Sequence, residues 1–165
     1  MRFIDFTQNW IKGELFEAKI VLLFGIITLI SGVLFWKTGT TPNAKALLFP
    51  LLIVGMIYSS IGGGMLVSNQ KRMVEMPEIY KKNSTEFIQL EQKRVEDFQY
   101  QYKISKIVAT ICFAVTLLLF WLTKNPTWQA IGIALTLFGL AGLVVDYFSE
   151  ERAAIYYKYI LDALN

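Results

Sequence analysis

Side chains able to do chemistry are few in this sequence, and their spacing works against them. Carboxylates stand side by side only as Glu96-Asp97 and Glu150-Glu151. Sequence neighbours diverge by about 100° around a helix, so neither pair can flank a substrate as acid and base. There is no histidine, which removes Ser-His and Cys-His nucleophiles, HExxH metalloprotease sites and histidine-held haem or metal together. Cys112 is the single cysteine, so no disulfide forms within the chain, and it reads as a small packing residue. Ile61-Gly62-Gly63-Gly64-Met65 is rich in glycine but follows no strand and lacks a phosphate-binding lysine, and no GxxxxGK[ST] loop occurs. The expectation is a protein that is not an enzyme, with no catalytic residue, no metal ligand and no cofactor.

What the sequence does place in register is small residues. Gly55, Ser59 and Gly63 lie four apart, and Ser60, Gly64 and Ser68 form an adjoining row, with Gly62 between them. Such rows let membrane helices approach closely, and the same residues could line a pore. Gly25, Thr28 and Gly32 can face them, and Gly132, Gly139 and Gly142 loosen a later segment. No ionisable group lies deep in an apolar stretch, which weakens coupled transport; Asp146 comes nearest and reads as an interface cap.

The elements that position these residues are membrane spans. The chain has 165 residues, of which 55% are apolar, more than a soluble core of this size uses. Four stretches carry no charge: Ile20 to Trp36, Ala46 to Gln70, Ile107 to Thr123 and Asn125 to Val145. Their lengths of 17, 25, 17 and 21 residues each suit a helix crossing a hydrocarbon core. The first is expected to be retained and not cleaved as a leader, because Asp5, Glu14 and Glu17 precede it and a second apolar stretch follows at once.

The expected fold is therefore an all-α integral membrane protein with four transmembrane helices in two antiparallel hairpins. An interfacial amphipathic helix covers 1–18, the spans cover 19–37, 45–70, 107–123 and 126–146, a helical hairpin 71–106 protrudes, and a C-terminal helix covers 147–165. With both termini on one side, 13 cations fall on that side and only Lys37, Lys45 and Lys124 on the other. This bias places both termini in the cytoplasm, in a cell or inner membrane. The net charge of +3 is then a topology signal, and no nucleic-acid partner is expected.

In the protrusion, Pro77 should kink or end the outgoing arm, and Asn83 with Glu86 should cap the returning one. Lys71 and Glu75, Glu78 and Lys82, and Lys93 and Asp97 are opposite charges four apart. Phe87, Glu91, Val95, Phe98 and Tyr102 fall on one helix stripe that something must cover, the Met73 to Tyr80 arm or a partner. With Tyr156 and Tyr159 of the aromatic tail they form a candidate docking surface, with Arg94 the nearest partner for Glu91. Trp10, Trp36, Trp121 and Trp128 read as membrane-interface anchors.

A sequence element repeats: Leu34-Phe35-Trp36-Lys37-Thr38 returns 85 residues later as Leu119-Phe120-Trp121-Leu122-Thr123. Thr41-Pro42 and Asn125-Pro126, each opening a returning span, are 84 apart. A parallel duplication of two-span units fits both. The expected function is assembly within the lipid bilayer, as a homo-oligomer or as the partner of another membrane or cytoplasmic protein. The alternative is a small oligomeric channel or membrane-permeabilising pore lined by the second span.

Overall fold

A computed structural model describes residues 2–164; Met1 and Asn165, the outermost positions of the expected terminal helices, lie outside the described residues. The chain folds as α1 (Phe3–Thr38), α2 (Pro42–Ala46), α3 (Leu48–Lys82), α4 (Ser84–Leu122) and α5 (Pro126–Leu164), with no strand among the described residues. Four helices, with α2 running into α3 as one of them, are long and apolar enough to cross a membrane. The described residues are all-helical, and these four helices suit a membrane by length and composition.

Local chemistry sets the helix ends. Thr41 accepts a hydrogen bond from the Ala44 amide at 3.2 Å, and Pro42 follows at the first helical position, where its missing N–H costs nothing. Asn125 accepts from the Thr127 amide at 2.9 Å ahead of α5, with Pro126 in the same place. Asn83, the single residue between α3 and α4, accepts from the Glu86 amide at 3.2 Å while its amide group donates to the Glu86 carboxylate at 3.0 Å. The expected cap is thus formed.

Pro77 does not end the outgoing arm. It lies inside α3, which continues to Lys82. Proline removes one N–H, but the neighbouring turn is buried through Met76, and the Asn83 amide still donates to the Ile79 carbonyl at 3.2 Å. The boundary expected at residue 18 is likewise no break, because α1 is continuous from Phe3 to Thr38.

α1 packs along α3, and α4 along α5. A Cβ at Gly25 would lie 2.4 Å from the Ser59 nitrogen and 2.9 Å from the Gly55 carbonyl, and one at Gly62 would lie 2.4 Å from the Leu22 nitrogen. The two backbones touch, which only glycine permits. Numbers rise on α1 as they fall on α3, since Gly32 meets Leu48 and Leu51.

The same register recurs in the second pair. Gly55 faces Gly25 and Leu29; 84 positions on, Gly139 faces Ala109 and Phe113. Gly32 faces Leu48, and 84 positions on Thr116 faces Gly132, to whose carbonyl it donates at 2.9 Å. The helix stops agree as well, Gly39 N–H bonding the Phe35 carbonyl at 2.9 Å and Thr123 N–H that of Leu119 at 3.2 Å. The proline spacing is therefore the structural one, and the LFW copies are offset from it by one residue.

Between the pairs, two small clusters form within the apolar length, Val21, Val54 and Tyr58 against Ala134, and Leu47 and Leu51 against Ala130. Tyr58 bridges the pairs, donating to the Phe138 carbonyl at 2.6 Å. Its hydroxyl lies 3.3 Å from where a Cβ of Gly142 would stand, and Gly142 is the residue 84 positions beyond Tyr58. At the turns, Asn43 donates to Gln129 at 3.0 Å. The largest shared core lies at the opposite end, called the base below, where residues near 3–18, 71–102 and 147–164 meet.

Candidate functional site

The base is where the sequence expected a docking surface, and the structure uses most of that surface internally. Phe87, Glu91, Val95, Tyr102 and Tyr156 are buried and Phe98 is half-buried, while Tyr159 stays exposed. The cover is Met73, Met76 and Tyr80 of α3, joined by Phe3, Ile4, Trp10 and Ile11 of α1 and Ala153 and Ile160 of α5. Phe3 meets the Phe87 ring edge-on at 6.2 Å, and Phe6 stacks on Tyr159 at 3.9 Å. An amphipathic face on α1, which could have faced head groups, finds a protein core instead.

Trp10 needs the corresponding correction. It is not a free interface anchor: only 6% of it is exposed, because it stacks on Tyr156 at 4.7 Å and lies beneath the Arg94 guanidinium, 4.3 Å from its centroid. Pairing a guanidinium with an aromatic face suits a partly dehydrated cation. Trp36, Trp121 and Trp128 are exposed toward the other end of the bundle.

A polar network runs through this core. Arg94 bonds the buried Glu91 carboxylate, and the Tyr156 hydroxyl donates to the same carboxylate at 2.9 Å. Thr7 lies 2.7 Å from the Tyr156 oxygen; with the Tyr156 proton committed to Glu91, the Thr7 hydroxyl is the donor. Burial first, and the Glu91 charge second, push the Tyr156 hydroxyl well above the ordinary tyrosine range. Tyr102, 3.0 Å from the Ser149 hydroxyl, is raised mainly by burial. A second ionic cluster joins α5 to α1, where Arg152 bonds Glu14 at 3.1 Å and also Glu17, its stem lying over Gly13. Of the three expected charge pairs in the protrusion, Lys71 and Glu75 close, at 3.7 Å.

The small-residue rows divide into two uses. Gly55, Ser59 and Gly62 pack against α1, together with Gly25, Thr28 and Gly32. Ser60, Gly64 and Ser68 are exposed, and a Cβ at Gly63 or Gly64 would meet nothing within 4 Å.

Beneath the base the two pairs leave a crevice that all four long helices wall. Its outer part is a cavity of about 470 Å³ with a polar rim of Glu14, Glu17, Asn69, Arg72, Gln101 and Ser149. Burial, then repulsion from Arg94, lowers the Arg72 guanidinium from its ordinary value. The inner part, about 360 Å³, is walled by Val21, Tyr58, Ile61, Val108, Ala109 and Phe138, and Gln101 and Asp146 belong to both parts. The Asp146 Oδ2 atom is covered and has no hydrogen-bond partner among the described residues. Cys112 is buried and lines a separate apolar groove nearer the turns.

Sequence reasoning missed this crevice. Its available signal was polar residues at helical spacing, Gln101 and Ser105 on one helix and Tyr58 in the middle of another. Their convergence on Asp146 depends on how the pairs dock, which local spacing does not carry. The fold is an all-helical one with four helices long and apolar enough to cross a membrane. No family model matches the chain, and neither do any curated protein or solved structure.

Proposed function

We propose that this is a small non-enzymatic integral membrane protein that acts by assembly, with a second copy or as the membrane subunit of a larger complex. Its four spans are taken as two antiparallel hairpins in a cell or inner membrane, with both termini and the helical protrusion in the cytoplasm. The 13 to 3 cation bias supports that orientation.

One observation carries the assembly reading: the α3 small-residue row is only half consumed. Gly55 and Gly62 are spent on α1, whereas Ser60 and Gly63 present a shallow face with nothing against it. Close approach of another helix there gains packing that lipid chains give less well. Tyr159, the exposed member of the expected docking set, adds a contact on the cytoplasmic side.

The test is Gly63→Leu in mild detergent with mass measured by light scattering. A fall in mass with thermal stability no lower than that of the unaltered protein is expected, and an unchanged mass overturns the proposal. A second reading, an oligomeric pore lined by α3, draws on Gly64 and Ser68 facing the polar cavity rather than lipid. Ion flux through liposomes containing only the purified protein would favour it over assembly alone.

A further inference from the structure

We propose that the crevice between the two helix pairs binds an amphipathic organic cation, a molecule carrying one positive charge on an apolar body. The lining grades from polar to apolar, and Asp146 stands where the two meet. Lys106 is turned to Glu150 at 2.6 Å, and although the Ser105 hydroxyl lines the same cavity, the covered Asp146 Oδ2 has no hydrogen-bond partner among the described residues. Asp146 is half-buried as a residue, and a covered carboxylate oxygen left in that condition is completed by a positive group.

Beyond Asp146 the apolar part offers aromatic surface. The Tyr58 and Phe138 rings lie 5.6 Å apart, and the bond from the Tyr58 hydroxyl to the Phe138 carbonyl holds the tyrosine in place. Such rings suit a dehydrated organic cation better than a hydrated metal ion. A cavity near 360 Å³ is at the size that a small apolar body fills. An anionic amphiphile of the same shape would set its charge against Asp146. The cation of the rim, Arg72, lines the outer part and not the inner.

The experiment is equilibrium dialysis of labelled tetraphenylphosphonium against the full-length protein in detergent and in nanodiscs. Saturable binding is expected, displaced by dodecyltrimethylammonium and not by neutral triphenylphosphine oxide. Asp146→Asn, close to isosteric, should weaken it by at least about tenfold while the protein stays monodisperse. Should that variant aggregate, Val108→Trp, which fills the crevice from its wall, should abolish saturation instead. Non-saturable partitioning, equal displacement by the neutral probe, or undiminished binding in a monodisperse Asp146→Asn protein overturns the proposal and leaves only lipid or detergent in the crevice. The light-scattering mass of the Gly63→Leu protein bears on assembly alone, so the two proposals fail separately.

Discussion

Glu91 shows how one buried charge is made tolerable. Dehydrating a carboxylate costs several kcal/mol, and here a guanidinium and a tyrosine hydroxyl offset that. Removing only the acid strands Arg94 against Trp10, so Glu91→Leu should destabilise by about 3–5 kcal/mol. The Glu91→Leu, Arg94→Leu pair should recover much of that loss, because no charge is then left alone; thermal unfolding in detergent compares the two. Tyr156 adds a pH effect whose sign is fixed. Its folded-state pKa lies above the ordinary value of 10, so the fold holds the proton more tightly than the unfolded chain does. That stability is complete below pH 10 and is lost as pH rises above it toward the folded value. Tyr102 shifts in the same direction. Melting temperature followed against pH should fall on the alkaline side, and Tyr156→Phe should flatten that fall while lowering stability at neutral pH by about 1–3 kcal/mol for the lost hydroxyl bonds. The need to cover the Phe87 to Tyr102 stripe, and the Met73 to Tyr80 arm as part of its cover, were legible in the sequence. The share of α1 was not, since Thr7 and Tyr156 are 149 residues apart. Trp10 was misread for the same reason: a tryptophan among polar residues looks like an anchor until a distant Arg94 is laid on it.

At the scale of elements, glycines of one helix have opposite roles. Gly25 and Gly62 sit where an added Cβ would strike the facing backbone at 2.4 Å, so alanine there forces α1 and α3 apart. We expect a loss of roughly 1–3 kcal/mol for each, the usual cost of overpacking. Gly63→Ala and Gly64→Ala strike nothing and gain helix propensity, by about 1 kcal/mol each. Melting temperatures of the four alanine variants should split two and two; a uniform response would mean that α1 does not lie on the Gly55, Ser59 and Gly62 side of α3. Helix ends and apolar lengths could be read in advance because caps, prolines and charge-free runs are local. Which half of a glycine row is used is decided by the neighbouring helix, and the sequence showed both rows as equals. Pro77 likewise leaves α3 running on to Lys82, as the turn beside it packs through Met76 against residues elsewhere in the chain.

For the whole molecule, the repeated register gives the chain two units, α1 to α3 and α4 to α5, with Asn83 alone between them. Each unit is internally tight, and Tyr58 lies beside Gly142, its counterpart 84 positions on, so counterpart positions meet where the units join. The identical LFW letters drew attention to this repeat but misplace it by one residue; the glycine contacts and helix stops set the true offset. Two small clusters join the units along the apolar length, and the largest joins them at the base. There Phe3, Trp10, Ile11 and Met76 of the first unit interlock with Phe87, Val95, Tyr156 and Ile160 of the second, and Arg152 reaches Glu14 and Glu17. A chain cut at Asn83 loses one covalent link and none of these contacts. Residues 1–83 and 84–165, expressed together with a tag on one piece, should therefore copurify at the mass of the intact protein. Tyr156→Ala, which opens the centre of the base, should release the untagged piece, whereas Phe148→Ala on the exposed side of α5 should not. If the unaltered pieces separate in mild detergent, neither the base nor the two small clusters along the spans hold the units together without the chain link at Asn83.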